Sequence, residues 1–122
     1  MGRKMHHRMF VLLVSLLVAG ISQPCWAHAI LMESNPKANA TIKGPELNVV
    51  LKFNVRIDAG RSHVRLSSPD GTVATLTLEN QSSPEVLRTH ASGLKPGAYK
   101  LIWQVLASDG HLSRGEIPFL VS

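Results

Sequence analysis

Two stretches of this chain alternate apolar and polar residues too strictly for a helix. In "LNVVLKFN", Leu47, Val49, Leu51 and Phe53 fall on one side; in "AYKLIWQVL", Tyr99, Leu101, Trp103 and Val105 stand opposite Lys100 and Gln104. A period of two puts successive side chains on opposite faces of a strand, so each stretch predicts a strand with one buried face. Weaker runs, "AILME", "SHVRLSS", "TVATLTLE", "EVLRTHA" and "EIPFLV", bring the expected total to about seven. Between them stand the Gly, Pro, Asn and Asp clusters "NPKANA", "KGPE", "SPDG", "NQSSP", "SGLKPG" and "ASDG". No segment sustains a 3.6-residue period. The expectation is an all-β fold, an immunoglobulin-like β-sandwich with Greek-key connections, although a small barrel would produce the same pattern. Trp103, Phe53 and Phe119 are expected to fill the space between the sheets.

The first 27 residues read differently. Arg3, Lys4 and Arg8 precede an apolar run from Phe10 to Ile21, followed by a polar break and small residues, which is the layout of a secretory signal peptide. The run falls short of the roughly 20 residues that a permanent membrane helix needs. Small residues allow cleavage after Ala27, leaving His28 first, or after Ala29. The expected division is therefore a signal peptide over 1–27 and one domain over 28–122, with a periplasmic location. The one cysteine, Cys25, lies in the leader, so the mature domain would hold together without a disulfide.

Setting the leader aside lowers the basic residues from 13 to 10 against 8 acidic ones, and the formal charge from +5 to +2. The remaining cations are scattered and lack interleaved aromatics, which argues against a nucleic-acid surface. No nucleophile elbow, glycine-rich phosphate loop or paired carboxylates stand out, so the common enzyme classes find no support.

Histidine carries what chemistry there is. His6 and His7 belong to the leader, while His63 and His90 read as edge residues of strands. In "ASDGHLSRG", Asp109 and His111 flank Gly110, an arrangement that is first of all an ordinary turn. Its meaning changes if His28 is a free N-terminus. Such a residue offers its amine and its ring to one ion; His111 adds an imidazole and Asp109 an oxygen, and this nitrogen and oxygen set suits one Cu(II) ion. Zinc is the runner-up. Met32 is the one methionine left after the leader, so a thioether Cu(I) site is not expected.

The start "HAILMESNPKANATIKGPELNVVLKFN" and the end "LKPGAYKLIWQVLASDGHLSRGEIPFLV" resemble the CopC family of periplasmic copper-binding proteins. The resemblance implies a small β-sandwich that binds Cu(II) through His28, Asp109 and His111. It further implies a role in copper tolerance, or in delivery to a CopD-like inner-membrane copper transporter, here by a freestanding soluble carrier. Two features depart from the family pattern. Phe53-Asn54-Val55-Arg56 replaces a common Phe-Ser-Glu-Pro stretch, removing an acidic side chain, and the methionine-rich loop of two-site members is missing. Two other classes of function compete with a non-enzymatic carrier: a copper oxidase with a histidine brace, and a metal-free sandwich module for protein contacts.

Overall fold

A computed structural model describes residues 28–122; the expected signal peptide lies outside the described residues. Eight strands run in the order β1 (Leu31–Asn35), β2 (Thr41–Ile42), β3 (Leu47–Phe53), β4 (Ile57–Ser67), β5 (Val73–Leu76), β6 (Val86–Ala91), β7 (Gly97–Ala107) and β8 (Leu112–Val121). They form a three-stranded sheet, β1-β3-β6, and a five-stranded sheet, β2-β8-β7-β4-β5. The fold is the all-β sandwich that the alternation predicts.

The two strongest alternations became the inner faces. Leu47, Val49, Leu51 and Phe53 of β3 are buried against Tyr99, Leu101, Trp103 and Val105 of β7 and Ile117, Phe119 and Val121 of β8. Each fully buried side chain of this size contributes about 1.5–3 kcal/mol relative to exposure. Aromatic contacts add direction: Phe53 meets Trp103 edge to face at 5.2 Å, and Tyr99 stacks on Phe119 at 5.6 Å. The Tyr99 hydroxyl donates to the Lys95 carbonyl at 2.8 Å and accepts the Lys95 N–H at 3.0 Å, tying the approach loop to β7.

Three elements depart from expectation, each for a local reason. β2 is only two residues long, too short to show a period, and is held by parallel pairing with Leu120 and Val121 of β8. β4 starts at Ile57 rather than Ser62, because Asp58 stitches the stretch "DAGR", which shows no alternation, into an irregular strand. Its carboxylate accepts the Gly60 N–H at 3.0 Å and its carbonyl accepts the Ser62 hydroxyl at 2.6 Å. β8 starts at Leu112 rather than Glu116, and Gly115, which reads as a turn residue, lies directly opposite Trp103. A Cβ at Gly115 would collide with the Trp103 indole, so glycine here is a packing requirement of the sheet.

Gly115→Ala should therefore destabilise the protein by about 1–3 kcal/mol or more, the cost of overpacking a filled core. The check is the midpoint of urea denaturation followed by far-UV circular dichroism; an unchanged midpoint would mean that the indole has room to move.

Candidate metal centre

The β7–β8 hairpin is the longest pairing in the molecule, running from Gly97 opposite Val121 to Leu106 opposite Leu112. Its closing turn contains Asp109 and His111. The Gly110 N–H donates to the Ala107 carbonyl at 2.9 Å, and the Ala107 N–H donates to the His111 carbonyl at 2.9 Å. Gly110 sits at φ 91°, in the left-handed region that glycine tolerates at no steric cost. The run is thus a turn, and its geometry places both candidate side chains.

Asp109 folds back on His111. One carboxylate oxygen, Oδ1, accepts the His111 backbone N–H at 3.1 Å and lies 3.2 Å from the ring Nδ1. The backbone donation, seconded by the His111 side chain, holds the Asp109 carboxyl below the usual carboxylate range. The carboxylate thus lies against the Nδ1 side of the imidazole, as an orienting carboxylate does beside a metal-binding histidine.

His28 reaches this turn from the other end of the described chain. Its ring centroid is 6.0 Å from that of His111, with the planes at 76°. A ring nitrogen holds a first-row ion at about 2 Å with the ring centre about 1 Å behind it, so two imidazoles sharing one ion stand up to about 6 Å apart. The two rings are within that span. Among the described residues, however, no three His, Cys, Asp or Glu side chains close around one point. The structure brings His28 to His111 and pairs Asp109 with His111, but it does not gather all three. In the unprocessed chain the His28 nitrogen is a peptide nitrogen following Ala27, and the amine half of the chelate has yet to exist.

Three contacts that sequence reasoning missed set the path of the chain after His28. The Ala29 N–H donates to Ser113 Oγ at 3.2 Å, and the Ile30 N–H donates to Asn54 Oδ1 at 2.7 Å; the Asn54 N–H in turn donates to the Ile30 carbonyl at 3.1 Å. The Ser108 N–H, in the hairpin turn, donates to the Arg56 carbonyl at 3.0 Å. No sequence signal distinguishes Asn54 and Ser113 from ordinary turn and edge residues. Val55, where the family resemblance leads one to expect an acidic side chain, is partly buried against the core.

The other histidines among the described residues stand elsewhere. His63 faces Gln104 across the β4–β7 pair, and His90 on the three-stranded sheet lies 4.0 Å from Glu46. A groove of about 760 Å³, lined by Leu66, Pro69, Leu76, Leu94 and Tyr99, opens near the start of β7, whereas the Asp109–His111 turn follows its end.

The family model for the CopC domain matches residues 31–122, three quarters of the chain. The chain belongs to the CopC family. Its relatives include protein YobA of Escherichia coli K12, 29% identical with 98% of this chain and 96% of that protein aligned. Copper resistance protein C of Xanthomonas campestris pv. juglandis is 28% identical, with 91% of each chain aligned. Among solved structures, CopC from Methylosinus trichosporium OB3b superposes with a TM-score of 0.70 at 26% identity, covering 78% of this chain and 94% of that one. PcoC of Escherichia coli, at 22% identity and a TM-score of 0.64, shares the fold.

In the metal-free protein the lowered Asp109 carboxyl is a source of stability that is present above the unfolded carboxylate range and lost as the pH falls through the folded value. Asp109→Asn should therefore lower the melting temperature at neutral pH, with the gap to the parent closing in strong acid. A pH series of thermal melts from neutral to about pH 2 checks this, and a gap that stays constant would contradict it.

Proposed function

We propose that this chain is a periplasmic Cu(II)-binding protein that sequesters or carries one copper ion and performs no chemistry of its own. The observation that supports it best is the approach of the His28 and His111 rings to 6.0 Å from opposite ends of the described chain, beside a carboxylate that already orients one of them. Cleavage after Ala27 converts the His28 peptide nitrogen into an amine, so that one residue supplies two nitrogens. His111 supplies the third nitrogen and Asp109 the oxygen. Ala29 is buried and hydrogen-bonded to Ser113, which favours the cut after Ala27 over one after Ala29, since the latter would remove His28 together with a core residue.

The donor set selects the ion. Amine, imidazole and carboxylate suit tetragonal Cu(II), which binds most tightly among divalent first-row ions, and Met32 alone offers no thioether set for Cu(I). Copper competes with protons for the nitrogens, so affinity weakens as the pH drops through the range where amines and imidazoles protonate. Asp109 stays ionised well below that range and does not set the dependence. No helix among the described residues is long and apolar enough to cross a membrane, and a membrane transporter of the CopD kind is the natural recipient of the ion.

One extra residue placed before His28 keeps every side chain and removes the chelating amine. Cu(II) affinity, measured by competition titration on protein of verified intact mass, should fall by more than about 100-fold, beyond the 10- to 100-fold typical of losing an outer-shell partner. Added Cu(II) should raise the melting temperature of the processed protein and not that of the extended one. Equal affinities, or no copper-dependent stabilisation of either, would contradict the reading.

A further inference from the structure

The β1–β3 ladder begins at Leu31 opposite Phe53, so the backbone of Ala29 and Ile30 lies outside it. Chain ends in that position fray unless they are tied down. Here both N–H groups following His28 are tied, one by a side-chain oxygen from strand β8 and the other by one from the β3–β4 turn. Ser113 Oγ, on β8, accepts from Ala29; Asn54 Oδ1, in the β3–β4 turn, accepts from Ile30, and the Asn54 N–H returns a bond to the Ile30 carbonyl. Ser113, near the start of β8, stands two residues beyond His111 of the turn, so the bond that fixes Ala29 also sets its distance from the hairpin that carries the second imidazole.

We infer that Asn54 and Ser113 are positioning residues for the metal site: they capture the two amides that follow His28 and thereby hold its donors beside His111 before the ion arrives. The inference rests on the copper-binding reading above. Its physical content is preorganisation. An N-terminal residue free to swing would have to be ordered at the moment of binding, and that cost would be subtracted from affinity. Losing either acceptor leaves β1 paired with β3 from Leu31 to Asn35, so the fold survives while the chain ahead of it loosens.

Asn54→Ala and Ser113→Ala should each weaken Cu(II) binding by about 2- to 10-fold, the range of a single hydrogen bond. Asn54→Asp and Ser113→Thr, which keep the acceptor oxygen, should restore it. In metal-free protein, amide hydrogen exchange should quicken at Ala29 in Ser113→Ala and at Ile30 in Asn54→Ala, with the β3 amides unchanged. The decisive comparison is a double-mutant cycle: in a background that combines His28→Ala with one extra residue before position 28, so that ring and amine are both lost, neither alanine substitution should alter copper affinity further, because both act only through the donors of residue 28. Parent-like affinity in the alanine variants, or an equal loss in that background, would overturn the inference while leaving the copper reading intact. If His28→Ala itself binds Cu(II) like the parent, both fall together.

Discussion

The β7–β8 ladder is the interaction on which the rest of the molecule depends. It runs the length of the sandwich, and its inner face supplies Leu101, Trp103, Val105, Ile117 and Phe119 to the core. Its closing turn presents Asp109 and His111 at one end. A strand pair cannot shift register by one residue without turning its core face to solvent, so burial along the ladder also locks the position of the turn. The turn is further held within the five-stranded sheet, where the Ser108 N–H donates to the carbonyl of Arg56, the residue just before β4. Core packing and site geometry are consequences of the same register.

That coupling explains why the site lies where two sheets and two chain regions meet. β1 belongs to the three-stranded sheet and the hairpin to the five-stranded one, and the backbone between His28 and Leu31 bridges them. The described residues provide an oriented imidazole, an ionised carboxylate and a second imidazole nearby, but the amine nitrogen depends on a proteolytic cut. Under the proposed reading, the complete donor set belongs to the protein cut after Ala27.

Much of the fold could be read from the residues because β3 and β7 each carry a complete alternation, and a buried face leaves no other assignment for Phe53, Trp103 or Phe119. The exceptions share a cause: local polar chemistry or a neighbour's bulk imitates a turn. The stretch "DAGR" carries no alternation because Asp58 stitches it into an irregular strand, and Gly115 looks like a loop residue because the Trp103 indole has taken the room of its side chain. In the site, Asp109 and His111 stand out by type and spacing. Asn54 and Ser113 do not, since a side-chain oxygen accepting a distant amide depends on tertiary placement that no local pattern encodes.

The central claim is that His28 and His111 share one Cu(II) ion. Pulsed electron paramagnetic resonance of the processed protein loaded with one equivalent of Cu(II) tests it most directly, because the modulation from remote ring nitrogens counts the imidazoles bound to the metal. The account predicts two imidazoles, falling to one in His28→Ala and to one in His111→Ala. A spectrum showing one imidazole or none in the parent, or one indifferent to either substitution, would contradict it.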